Sequence, residues 1–134
     1  MPTTTLVKTP RTLVAAGTSN AATAATRGAL DMRTTQGGLL TVKMTPAGTL
    51  GAQCVAKVMI AHDSGTTPAT GAAGAVWKTI ATISGSGTAS GVTTESSYAV
   101  EAGVMHVQVE FSGNTTAACT VEAFLSEITN ATTA

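Results

Sequence analysis

Charge is scarce in this chain. Only 10% of its residues are Asp, Glu, Lys or Arg, and 3% are aromatic. Seven bases balance seven acids, so there is no electrostatic footprint for nucleic acid or for an anionic membrane surface. Apolar runs are short, and none approaches the roughly 20 residues that cross a bilayer as a helix. Lys8 and Arg11 precede Leu13–Val14–Ala15–Ala16, and Ala22–Thr23–Ala24 imitates a cleavage site. That apolar run is too short for the h-region of a signal peptide, so export by this route is not expected. Two cysteines, Cys54 and Cys119, do not make a disulfide-dense scaffold. With so few ionisable side chains, the composition suits a structural or packing protein and not an enzyme. No catalytic residue, cofactor, metal or small-molecule substrate is expected.

What is present is Thr, Ala, Gly, Ser and Val in short segments of alternating polarity. Threonine makes up about a fifth of the chain. It is β-branched, which favours strands, and its hydroxyl tolerates water. Surfaces of Ala and Thr lose little side-chain entropy on contact, unlike surfaces of Lys and Glu. The 134 residues suit one domain with a core of useful size. All seven basic residues, from Lys8 to Lys78, precede the acidic run Glu95, Glu101, Glu110, Glu122 and Glu127.

Residues 1–28 read as an extended N-terminal arm with one short strand near Thr12–Ala15. Leu6, Val7, Leu13 and Val14 are its only sizeable anchors, and the stretch Ala21–Ala25 is too rich in Thr and Gly neighbours for a stable helix. An arm without a core of its own becomes ordered against a neighbour. Its candidate interface residues are Leu6, Val7, Arg11, Leu13 and Val14.

Residues 29–134 read as an antiparallel β-sandwich, jelly-roll or immunoglobulin-like, giving about seven or eight strands in all. Segments of five to ten residues alternate with clusters of Gly, Pro, Asn, Asp and Ser. The candidates are Ala29–Thr34, Leu39–Thr45, Ala52–His62, Val76–Ser84, Ser97–Glu101, Val104–Ser112 and Ala117–Ile128. Leu40, Val42 and Met44 share one face of their strand. So do Cys54, Ala56, Val58 and Ile60; Met105, Val107, Val109 and Phe111; and Cys119, Val121, Ala123 and Leu125. Each set can form one wall of a core. This puts His106, Gln108 and Glu110 on an outward face. The loops Asp63–Gly74 and Gly85–Thr94 read as exposed and mobile.

Candidate chemistry is thin. His62, Asp63 and Ser64 are consecutive, so they cannot converge as a hydrolase triad. They read as a strand end entering a turn. His62 and His106 make a metal site only if a carboxylate or cysteine joins them, and nothing in the spacing requires that. Cys54 and Cys119 lie on inward faces and read as small buried hydrophobes. A disulfide between them stays open, provided their Cα atoms lie within about 7 Å. Gly85–Gly91 lacks the lysine and the following helix of a phosphate loop. Asn114–Thr–Thr and Asn130–Ala–Thr are formal glycosylation sequons with no secretory context. The few aromatics, Trp77, Tyr98, Phe111 and Phe124, do not by themselves make a sugar-binding or base-stacking platform.

The segment Val76–Trp77–Lys78–Thr79–Ile80–Ala81–Thr82–Ile83 is a strand built around a tryptophan. After a Gly/Ser/Thr loop come Tyr98–Ala–Val–Glu–Ala–Gly–Val–Met–His–Val–Gln–Val, Phe111–Ser–Gly–Asn–Thr and Cys119–Thr–Val–Glu–Ala. Over Leu39 to Leu125 this resembles the small β-sandwich proteins of tailed bacteriophage virions, the capsid decoration (cement) proteins and the tail or fibre accessories. The resemblance is one of strands and turns, shared in part with fibronectin-like and carbohydrate-binding sandwiches. It implies a virion structural protein assembled in the bacterial cytoplasm. It also implies many copies, contacts with the major capsid protein or other virion proteins, and self-association, with a trimer favoured. The alternative is a tail or fibre module that binds host-surface carbohydrate, for which Trp77 or Tyr98 should be exposed beside polar groups.

Overall fold

A chain of alternating five- to ten-residue segments buries its apolar faces most simply by laying one sheet on another. The computed structural model describes residues 3–61 and 77–133, and among these every regular element is a strand. In order they are β1 (Thr4–Asn20), β2 (Thr26–Asp31), β3 (Gly38–Pro46), β4 (Val55–Ala61), β5 (Lys78–Ser84), β6 (Thr94–Val100), β7 (His106–Ser112) and β8 (Cys119–Thr133).

One sheet, here sheet A, has the order β1-β8-β3-β6, and the other, sheet B, has β2-β7-β4-β5. All ladders are antiparallel, and β1 pairs with β8, β2 with β7, β3 with β6 and β4 with β5. This nesting is a long antiparallel ribbon folded over on itself, with successive strand pairs assigned to alternate sheets. It is the jelly-roll order, which decides between the two sandwich types the sequence left open.

The core lies between the sheets. Leu40, Val42 and Met44 of β3 and Val121, Ala123 and Leu125 of β8 face Ala56 and Val58 of β4 and Val107, Val109 and Phe111 of β7, all within one buried cluster. Alternation along these strands explains which residues enter the core.

The N-terminal segment differs from the sequence reading. The short strand expected near Thr12–Ala15 is part of a 17-residue edge strand. It is hydrogen-bonded along β8 from Thr4↔Thr133 to Asn20↔Cys119, with register shifts at Val7/Lys8, Thr12/Val14 and Val14/Thr18. Val14 is in the core and Leu13 packs against it. The position between Gly28 and Ala29 lies inside β2. Gly28 is required there, because a Cβ would overlap the Leu13 carbonyl oxygen.

Strand β7 is a second difference. Its apolar side faces the core as expected, but His106, Gln108 and Glu110 on the other side are buried too, with His106 at 0% exposure. β7 is an inner strand with β2 and β4 on either flank, and Arg27, Asp31, Lys57 and Met59 of those strands lie against its polar side chains. The 85–93 loop is exposed but tied to the connection that precedes β4. Gly85 N donates to Cys54 O, Leu50 N to Thr88 O and Gly91 N to Pro46 O, at 2.8–2.9 Å.

Candidate functional site

Among the described residues, the ion pairs of the jelly roll fall into three groups. The first lies across the outer side of sheet B. Register aligns Arg27, Glu110 and Lys57 in one row, Ala29, Gln108 and Met59 in the next, and Asp31, His106 and Ala61 in a third. Arg27 Nε donates to Glu110 Oε2 at 2.6 Å, and Lys57 Nζ lies 3.8 Å from Glu110 Oε1. Gln108 Nε2 donates to Met59 Sδ at 3.1 Å. His106 Nδ1 lies 3.8 Å from Asp31 Oδ1. Arg33 grips Asp31 through Nε at 2.9 Å and Nη2 at 2.6 Å. These hydrogen bonds hold the Asp31 carboxyl well below the usual carboxylate range.

The second group is inside. Glu127 of β8 is fully buried; it accepts from Arg11 Nη1 and from Thr35 Oγ1, each at 2.8 Å. The third group lies on the outer face of sheet A, where Lys43 Nζ is 3.9 Å from Glu122 Oε2 and 5.6 Å from the centroid of the Phe124 ring.

In the first two groups the carboxylates are already engaged by arginines, which is the arrangement of structural ion pairs. Among the described residues no cluster of His, Cys, Asp and Glu could hold a metal ion. The motif His62–Asp63–Ser64 lies outside the described residues. Cys54 and Cys119 are free thiols buried between the sheets, and Cys119 Sγ donates to Thr120 O at 3.9 Å. Burial pushes both thiols up, Cys54 to about 12. Asn114 of the first sequon is fully buried, with its side chain engaged by the turn between β1 and β2. It offers no acceptor to a glycosylating enzyme once the chain has folded.

Of the expected interface residues, Arg11, Leu13 and Val14 are used inside the subunit. Leu6 and Val7 are 49% and 44% exposed. A shallow groove of about 340 Å³ opens nearby on the outer face of sheet A, lined by Lys8, Gly38, Leu39, Ala99, Ser126 and Ile128 among others. Leu39 is 48% exposed there. The groove draws on four strands, and its residues are far apart in sequence, so only the register brings them together. Trp77 is buried, and Tyr98 packs against the core.

No protein-family model matches this chain, and no curated protein does so. Several solved structures are similar in arrangement. A mitogen derived from Yersinia pseudotuberculosis gives a TM-score of 0.48 at 9% identity, covering 97% of each chain. The K3 cleaved adhesin domain of Lys-gingipain from Porphyromonas gingivalis gives 0.48 at 14%, covering 80% of this chain and 70% of that one. The SPBc2 prophage-derived protein YomS gives 0.41 at 20%, covering 93% and 94%. At these scores and identities nothing about partner or activity passes from them to this chain.

Proposed function

We propose that this chain is a non-enzymatic virion structural protein of a tailed bacteriophage, one that decorates and stabilises the capsid in many copies. Its partners on this reading are the major capsid protein or other virion proteins and further copies of itself, a trimer being the favoured assembly. The observation that supports it best is the outer face of sheet A. It carries an apolar groove around Leu39 and Ile128 beside the balanced charges of Lys43 and Glu122, and an exposed apolar patch rimmed by polar residues marks a protein contact. The resemblance read from the sequence points the same way.

The alternative, a fibre module that binds carbohydrate, asks for exposed aromatics; Trp77 is buried and Tyr98 is half-buried against the core. Quantitative mass spectrometry of purified particles tests the proposal. It requires the protein in many copies per virion, and Leu39→Asp should reduce incorporation at least about tenfold while the fold is retained. Absence from the particle, or a handful of copies together with binding on a glycan array, overturns it.

A further inference from the structure

We infer that the N-terminal half of β1 pairs, edge to edge, with β6 of a second copy of this chain. β1 and β6 are the two edges of sheet A. The pairing of β3 with β8 stops at Gly38↔Glu127, whereas β1 continues along β8 to Thr4↔Thr133. Thr4–Lys8 and Ile128–Thr133 therefore form a two-stranded ribbon that runs past the end of the four-stranded sheet. A two-stranded ribbon is marginal in water and gains from a third strand. An uncharged edge such as Thr5–Val7, with Leu6 and Val7 exposed, is a template for strand addition. Nearer its middle, β1 abuts Gly28 of sheet B at Leu13, so the open part of the edge is the N-terminal half.

Charge identifies the occupant. β1 carries Lys8 and Arg11 and no acid, whereas β6 carries Glu95 and no base. Arg11 is committed to Glu127. Lys8 and Glu95 are both exposed, and register places both side chains on the outer face of sheet A. Two β1 edges would bring lysine near lysine, while β1 against β6 brings unlike charges together. Direction agrees as well. Each successive ladder across sheet A is antiparallel, so β1 runs antiparallel to β6. A second copy in the same orientation continues the alternation. Such a head-to-tail contact uses two different patches, and it closes into a ring or grows as an open chain according to its rotation.

This contact deepens the assembly reading above and rests on it for its use in the particle. Light scattering on the purified chain over a concentration series tests it. The chain should self-associate. Lys8→Glu and Glu95→Lys should each weaken association about tenfold, and the double reversal should restore it to within about threefold. Leu6→Lys with Val7→Lys, at exposed positions the fold does not need, should leave the chain folded by circular dichroism and largely monomeric. A wild-type chain that stays monomeric, or association that ignores all of these changes, overturns the contact. Copy number per particle is read separately. A monomer present in many copies on the virion sinks this contact alone, and self-association without incorporation sinks the virion reading alone.

Discussion

Glu127 has no exposed side-chain surface, and Arg11 reaches it from the edge strand at 2.8 Å. Removing one partner of such a pair leaves a buried charge without compensation. Arg11 is itself 41% exposed, which moderates the loss, so Arg11→Ala should cost about 2–3 kcal/mol in urea unfolding. Replacing both together, as Arg11→Met with Glu127→Leu, should recover most of it, because no orphaned charge remains. A second buried polar node joins two turns. Asn20 Nδ2 donates to Asn114 Oδ1 at 2.6 Å, and Asn114 Nδ2 donates to Asn20 O at 3.1 Å and Ala117 O at 3.0 Å. Asn114→Ala should cost about 3 kcal/mol, since several buried groups lose their partner at once. On β7, Val107→Asp should unfold the chain. His106→Ala, on a face that reads as outward in sequence, should cost about 1–3 kcal/mol because His106 is buried. A neutral His106→Ala would show that the polar side of β7 is open to water.

Among the elements, β1 departs furthest from its sequence reading. Its Thr-, Ala- and Pro-containing composition shows no clean alternation, so residue types alone could not distinguish an arm from an edge strand. The ladder with β8, the burial of Val14 and the Arg11–Glu127 pair make it part of the sandwich. Deleting residues 1–28 should therefore prevent folding, because it removes an edge strand and part of β2. Deleting residues 1–7 removes only half of the projecting ribbon and should leave a cooperative transition. Circular dichroism melts of the two truncations separate these outcomes. β7 teaches a different lesson. The alternation of Val107, Val109 and Phe111 with His106, Gln108 and Glu110 states which residues share a face, and it does so correctly. It does not state what lies over that face.

Across the whole molecule, stability should depend on pH through the two thiols buried between the sheets. Burial raises Cys54 from its ordinary value of 9.0 to about 12. The native state therefore keeps a proton that the unfolded chain releases above about pH 9. The resulting stabilisation is present at neutral pH and is lost as pH climbs from about 9 toward 12. Denaturant midpoints measured at pH 7, 9 and 10.5 should fall in that order. Native protein at pH 8 should resist a thiol reagent until it unfolds, since the thiolate is the reactive form. Rapid labelling of either cysteine without unfolding would contradict the buried placement.

The strand rhythm is legible in the residues alone. Small β-branched and apolar residues at period two, broken by Gly, Pro and Asn, bury area efficiently only as paired sheets, so each of the seven candidate segments from Ala29 onward overlaps a strand, although the ends differ by several residues, as at β2, which ends at Asp31. The sparseness of ionisable chemistry is legible there too. The order of strands is visible only in the folded molecule, because loop closure between distant segments leaves no local mark. The jelly roll placed Thr4–Asn20 beside Cys119–Thr133 and Asp31 beside His106. It likewise assembled Lys8, Leu39, Ala99 and Ile128 into one groove. The same ladders left β1 and β6 as edges, and an edge is a property of how strands are ordered, which no single strand carries in its residues.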